Sequence, residues 1–207
     1  MKKWTIILQS IGAGACLWMA GMTPAVADPN DPTAEQFYSG NALYNRKLYL
    51  LAIAEYQQFL DKYPDHAKAE QARWGIAICQ YAAGKYKEAA ISLGDVVDRG
   101  KHGDRNRLLL YQGQCYLKLK QLPEAEKAYR QVGAGKYQAT ALAALTDTRF
   151  SQRKWAEAMD SARQLAKLSP PESLARRALY QAGYAAREEE AWKEGIGFLE
   201  QLRPLIT

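Results

Sequence analysis

Apolar residues return at intervals of three and four along most of this chain. Tyr56, Phe59, Leu60 and Tyr63 form one such stripe, the spacing that lines up side chains on one face of an α-helix. No run alternates apolar and polar residues between turn signals long enough to suggest a strand. Prolines punctuate the pattern instead of interrupting it. Pro64, Pro170 and Pro204 fall where helices should stop. Pro123 falls in a first turn, where the missing N–H is harmless. The chain reads as a succession of short amphipathic helices.

The stripes recur as a unit. Five segments share one form: a short polar or glycine turn, an aromatic or leucine, then a small residue three positions on. They are Arg46 to Ala52, Gly84 to Ala89, Lys120 to Ala125, Arg153 to Ala158 and Glu190 to Gly195. The closing small residues serve as anchors, spaced 37, 36, 33 and 37 positions apart. Four positions after the anchors stand Tyr56, Leu93, Tyr129 and Leu199, with Ala162 the small exception. Twelve before them stand Gly40, Gly113 and Gly183, with Ala77 and Thr146 in the other two places. A glycine costs about 1 kcal/mol inside a helix, so three at one register point to close helix crossings. The expected fold is all-α, a right-handed α-solenoid of about five helix pairs. An irregular helical bundle is the competing arrangement.

The pattern resembles the tetratricopeptide repeat (TPR), a helix pair of about 34 residues with a small-residue crossing and an A-x3-F second helix. The resemblance spans roughly residues 33 to 203, strongest around Ala52, Ala89 and Ala125 and weaker around Ala158 and Gly195. The phrase Phe59-Leu60-Asp61-Lys62-Tyr63-Pro64-Asp65-His66 is similar to repeats of bacterial envelope proteins. Proteins of that kind act in outer-membrane assembly or as coordinators of cell division. The resemblance therefore implies a non-enzymatic adaptor or scaffold that binds other proteins or peptides.

In that family the first helices of the pairs line a concave groove. Positions fifteen, eleven and eight before each anchor should face it. These are Phe37, Asn41 and Tyr44, then Trp74, Ile78 and Tyr81, then Leu110, Gln114 and Leu117. Ala143, Asp147 and Phe150 follow in the fourth repeat, and Tyr180, Tyr184 and Arg187 in the fifth. Arg107 and Arg177 lie one step further out. The expected partner-binding set is Phe37, Asn41, Tyr44, Trp74, Ile78, Tyr81, Arg107, Gln114, Tyr180, Tyr184 and Arg187. Tyrosine, tryptophan and arginine carry much of the energy of interfaces, and an aromatic groove suits a peptide or helix with apolar anchors. The same aromatics would also serve as packing between adjacent repeats. Asn41 stands where groove asparagines of the family hold a peptide backbone. The lysine and second asparagine of the carboxylate-clamp subtype are missing, so recognition of a C-terminal carboxylate is not expected.

The first residues read as an address. Lys2 and Lys3 precede an uncharged run from Trp4 to Ala27 that contains the apolar stretch Ile11 to Ala20. Pro24 and the small-x-small Ala25-Val26-Ala27 complete a secretory signal peptide, cleaved after Ala27. The reading is a signal peptide at 1–27, a linker at 28–32 and the solenoid at 33–207, with the protein periplasmic or secreted. An uncleaved anchor competes, because the run is long enough to span a bilayer. So does lipidation at Cys16, in the loosely lipobox-like Ala13-Gly14-Ala15-Cys16.

Composition narrows the chemistry. Of 207 residues, 48% are hydrophobic and 24% charged, values of a folded globular chain. Loss of Lys2 and Lys3 would lower the net charge from +6 to +4, which is mild. No basic stripe appears, so nucleic acid is not an expected partner; weak attraction to acidic lipid or polymer surfaces fits the sign. His66 and His102 have no histidine or cysteine at ligand spacing, so no metal site is expected. Gly133-Ala134-Gly135-Lys136 lacks the earlier glycine of a phosphate loop, and Tyr137 replaces its Ser or Thr. Glu188-Glu189-Glu190 lacks the further ligands of a calcium site and reads as a solvated turn. No nucleophile, base and orienting acid converge, so no catalytic residue and no cofactor are assigned. Cys79 and Cys115 hold equivalent places on neighbouring first helices. Packed helices stand about 8–10 Å apart, too far for a disulfide, so both are read as buried thiols.

The chain end is the remaining oddity. Solenoids cap their last repeat with a polar face or an extra helix, and none follows the fifth repeat. Either a partner or second copy covers that face, or the chain is a fragment of a longer protein; the second is the reading adopted.

Overall fold

The computed structural model describes residues 31–100 and 104–206. The expected leader, Cys16, the cleavage point and His102 lie outside the described residues. Among the described residues ten α-helices form five antiparallel pairs: α1 (Glu35–Asn45) with α2 (Tyr49–Lys62), α3 (Ala69–Ala82) with α4 (Tyr86–Arg99), α5 (Arg105–Lys118) with α6 (Leu122–Arg130), α7 (Gln138–Ser151) with α8 (Trp155–Ala166), and α9 (Glu172–Glu188) with α10 (Trp192–Leu202). No strand occurs among the described residues. Each helix packs on the next, and first helices α7 and α9 also touch across the pairs. The fold is an α-solenoid, as the periodicity required.

The anchors explain the pairing. Ala52, Ala89, Ala125 and Ala158 are all 0% exposed, and Gly195 is buried with them. A methyl or hydrogen at the crossing lets two backbones approach closely. The residue four positions on then fills the gap opposite the position twelve before. A Cβ at Gly40 would come within 2.6 Å of the Tyr56 ring, and one at Gly75 within 2.8 Å of its other edge. Tyr56 is thereby held between α1 and α3. Gly113 meets the Tyr129 ring in the same way, and a Cβ at Gly183 would stand 3.0 Å from Leu199. Where the early position is Ala77 the late one is the smaller Leu93, and where it is Thr146 the late one is Ala162. Size at one place is matched by size at the other, as dense packing demands.

The turns within the pairs are equally regular. Lys47, Gly84, Lys120, Arg153 and Glu190 each stand five positions before an anchor, with φ of 61°, 76°, 59°, 58° and 56°. In each, the next residue's N–H donates to a carbonyl five back: Leu48 to Leu43, Lys85 to Gln80, Gln121 to Tyr116, Lys154 to Arg149, and Ala191 to Ala186. This is the Schellman ending, which satisfies a carbonyl that the helix leaves open. Four of the five turns use a side-chain-bearing residue where glycine is least strained.

The core follows the repeats as a string of local clusters, each joining one pair to the next. The fourth repeat, whose Ala162 fills little space, closes differently. Arg149 on α7 donates through Nε to Glu126 Oε1 on α6 at 3.0 Å, and through Nη1 to Ser161 Oγ at 3.3 Å on α8. Lys154 Nζ reaches Glu126 Oε2 at 2.7 Å, and Gln152 donates to the same oxygen. Glu126, Arg149 and Ser161 are all buried. Burial works against the Glu126 charge, but hydrogen bonds and charges from Lys154 and Arg149 outweigh it and hold the carboxyl below its usual range. A polar lock thus joins α6, α7 and α8 where apolar volume is short.

Candidate functional site

The first helices α1, α3, α5, α7 and α9 carry the expected groove positions, and the structure sorts them into three groups. Some are consumed inside. Phe37 is 6% exposed, packed between the rings of Tyr56 and Phe59 with the Lys68 ammonium 5.2 Å from its centroid. Ile78 is 5% exposed. Leu110 and Ala143 are buried too. Buried so, they offer little area to a partner, a correction to the set read from spacing. Asn41 is half-buried, and its Oδ1 accepts from the Tyr56 hydroxyl at 2.7 Å. It completes the Tyr56 wedge.

A second group gathers on one patch of α3 and α5, with Tyr44 on α1. The Arg107 guanidinium lies 5.0 Å from the Trp74 centroid and 5.7 Å from that of Tyr111. Tyr81 meets Tyr111 edge to face at 5.1 Å and donates its hydroxyl to Gln114 Oε1 at 3.0 Å. Burial pushes the Tyr81 hydroxyl above its ordinary pKa. Tyr44 is exposed, with its ring against Tyr49. Its hydroxyl is also pushed up by burial, and neighbouring Tyr111 adds to this while Arg107 opposes it. Edge-to-face rings and a stacked guanidinium rigidify the patch before anything binds.

A third group lies on α7 and α9. Phe150, Trp155 and Tyr184 meet at centroid distances of 5.3, 5.4 and 6.0 Å. Arg187 caps Tyr184 at 4.2 Å and pairs with Glu188 at 2.7 Å. Arg177 pairs with Asp147 at 2.5 Å. Burial nevertheless raises the Asp147 carboxyl above the usual range, against the pull of Arg177. Tyr180 is exposed and belongs to an apolar groove of about 390 Å³ lined also by Tyr184, Trp192, Ile196 and Leu199.

Tyr111 was not among the positions read from spacing. It stands fourteen before its anchor, one residue off the fifteen-row, and only packing reveals that it turns toward Arg107. The Arg149–Glu126 lock was missed as well. A salt pair 23 residues apart leaves no local signature.

The other candidate chemistries resolve into structure. The Gly133–Gly135 loop is tied to α5, because Asn106 donates to the Gly133 and Ala134 carbonyls and accepts from Gly133 N–H. Lys136 and Tyr137 both reach Asp104. Glu188, Glu189 and Glu190 are exposed, and Glu190 forms the left-handed turn. His66 accepts the Lys68 N–H at Nδ1, which leaves Nε2 to donate to Asp31 at 2.9 Å. Cys79 and Cys115 are free and buried, their thiols pushed up by burial to about 11 and about 12. Among the described residues no three His, Cys, Asp or Glu side chains gather as a metal site would require.

Comparison with known proteins fits this geometry. Residues 39–101 and 107–134 match two family models, each described as a tetratricopeptide repeat. Together they cover the repeats anchored at Ala52, Ala89 and Ala125. Among curated proteins, none matches the chain. YrrB, described as a TPR protein with an unusual peptide-binding site, is similar in structure at a TM-score of 0.65, with 18% identity over 82% of this chain and 84% of that one. Nearly identical TPR-like repeats from Podosopora anserina, described as those of a kinesin light chain, superpose at a TM-score of 0.58, with 17% identity over 82% of this chain and 92% of that one. At such identities the likeness speaks to the fold.

Proposed function

Since the chain carries tetratricopeptide repeats, we propose that it is a non-enzymatic interaction protein whose first-helix face binds an extended peptide or a partner helix. The observation that carries the reading is the patch of Trp74, Tyr81, Arg107 and Tyr111, aromatic and basic groups prearranged on two successive first helices. Those are residue types that dominate interface energy. A rigid patch also loses less entropy on binding. YrrB, which shares the fold, is described as having a peptide-binding site.

The leader pattern at residues 1–27 supports a place in the periplasm or outside the cell, with an anchor at the uncleaved N-terminus or lipid on Cys16 as variants of the same address. The protein would then act as an adaptor or scaffold in envelope assembly or coordination, as the bacterial type of repeat implies.

Selection of a displayed random-peptide library against the purified chain tests the binding claim. Enriched peptides should lose about tenfold or more in affinity on Trp74→Ala or Tyr81→Ala, the loss typical of central aromatic contacts. Peptides that bind both variants as well as the parent would place the binding elsewhere.

A second reading rests on the far end. Trp192, Ile196 and Leu199 are 61%, 58% and 51% exposed. The places matching Leu199 in the earlier repeats, Tyr56, Leu93, Tyr129 and Ala162, are all buried. In this reading the chain is a structural accessory domain of a larger envelope protein, whose continuation covers α10.

A further inference from the structure

We propose that the α1–α2 turn is a membrane-docking tip that seats shallowly in a bilayer surface rich in anionic phospholipid, a contact that does not depend on the partner role proposed for the first-helix face. The five repeats, compared with one another, set this turn apart. Leu48, Leu50 and Leu51 close the turn and open α2, and they are 38%, 58% and 56% exposed. The position just before the anchor is Leu51 here, but Glu88, Glu124, Glu157 and Glu194 in the other four repeats. In the second repeat the places of Leu48 and Leu50 hold Lys85 and Lys87. A single exposed leucine needs no explanation. Three together, at places that the other repeats keep mostly polar, mark a turn that meets something apolar.

Charge narrows the choice. Arg46 and Lys47, directly before the leucines, are exposed, and no Asp or Glu occurs from Gln36 to Ala54. The left-handed Lys47, at φ 61°, and the bond from the Leu48 N–H to the Leu43 carbonyl fold the turn tightly, so the cations and the leucines share one tip. Tyr44 and Tyr49 stand at its base with ring centroids 5.9 Å apart, a residue type that sits at headgroup level. Exposed Lys85, Lys87, Lys118 and Lys120 continue the positive charge at the next two within-pair turns, which antiparallel pairing places along the same edge. A protein partner would need roughly 800 Å² on each side, more than one turn supplies. A bilayer takes such a tip without a matching shape: the leucines enter the acyl boundary while arginine and lysine meet phosphate headgroups. The contact is peripheral, since among the described residues no helix is long and apolar enough to cross a membrane.

The test uses residues 28–207, which contain all five helix pairs and their core clusters, so the apolar leader cannot bind in the tip's place. Co-sedimentation with vesicles of phosphatidylglycerol and phosphatidylcholine in equal parts, against vesicles of phosphatidylcholine alone, reads the partition. The parent should favour the anionic vesicles by about tenfold or more, on a scale of about fivefold for each basic side chain at the surface. Two double variants borrow the second repeat's own residues, so each has a native precedent in the fold. Leu50→Lys with Leu51→Glu leaves the net charge unchanged and should lose about tenfold or more, the effect of withdrawing a few methylenes from the acyl boundary. Arg46→Ala with Lys47→Gly removes both charges and should lose a similar factor at low salt, a loss that shrinks as salt screens the parent. Circular dichroism of both variants should match the parent. Failure of the parent to bind the anionic vesicles, or binding that the leucine variant retains in full, overturns the inference. A parent that ignores vesicles but forms a dimer, monomeric in the leucine variant, also overturns it and assigns the turn to a second copy.

Discussion

The ring of Tyr129 fills the space that a side chain at Gly113 would occupy, sixteen residues earlier on the partner helix. The same trade holds Tyr56 against Gly40. The glycines therefore matter for what they lack. Gly113→Ala and Gly40→Ala should each destabilise the chain by about 1–3 kcal/mol, the usual cost of overpacking. Gly40→Ala combined with Tyr56→Leu copies the native Ala77 and Leu93 pair and should recover part of that loss. Urea unfolding of the singles and the double measures the coupling. Additive losses would show that the two places do not share one space.

The left-handed turns are not optimised. Lys120 and Arg153 adopt φ of 59° and 58° with full side chains. Lys120→Gly and Arg153→Gly should each raise stability by about 0.5–1 kcal/mol, the relief of left-handed strain less the entropy glycine adds to the unfolded chain. Gly84→Ala should lower it, since Gly84 sits at φ 76°. Thermal unfolding of the three variants gives the signs directly.

Acid should attack the polar lock between α6, α7 and α8. Glu126 is held below its usual carboxylate range. A depressed acid contributes stability that is complete above its unfolded pKa, about 4.3, and is lost as pH falls through the folded value. The acid limb of the stability curve should therefore flatten in Glu126→Gln. At neutral pH that variant should cost about 3 kcal/mol, because it leaves Arg149 buried without its counter-charge. Replacing both partners by apolar residues should cost less than removing one. Chemical denaturation between pH 3 and 7 (roughly the span of the acid transition) checks both statements.

Cys79 and Cys115 should be silent toward thiol reagents in the folded state. Burial leaves them 0% exposed and pushes their pKa up to about 11 and about 12, so little thiolate forms at neutral pH. Labelling should rise in step with unfolding across a denaturant series. Fast labelling of the native chain would contradict the packing described here.

Much of the fold was legible because the repeat constrains it several times over. Ala52, Ala89, Ala125 and Ala158 announce the crossings, and Gly40, Gly113 and Gly183, each twelve positions before an anchor, point to close approach there. The turns were visible as short polar or glycine stretches, although their shared left-handed residue was not, because lysine and arginine carry no left-handed signature. The site was less legible. Trp74 and Arg107, both read from spacing, do meet in the structure, yet register alone does not fix burial. Phe37 and Ile78 are buried while Trp74 and Gln114, at the same two registers, are only partly so, because the neighbouring side chains differ from repeat to repeat. Asn41 and Gln114 looked free as sequence and are hydrogen-bonded to tyrosines in the fold. Contacts between distant side chains, such as Arg149 with Glu126, leave no periodic trace at all.

The address at the N-terminus has its own check. Mass spectrometry of the chain recovered from an exporting bacterial host should show a start at Asp28. A start at Met1 would favour the anchor, and a start at a lipid-modified Cys16 would favour lipidation.

The most direct test of the account is hydrogen–deuterium exchange on the chain with and without a library-selected peptide. New protection should appear on α1, α3 and α5 around Tyr44, Trp74, Tyr81 and Arg107, with the second helices unchanged. Protection confined to α10 around Trp192, Ile196 and Leu199 would contradict it and make the end of the solenoid, not its first-helix face, the surface that works.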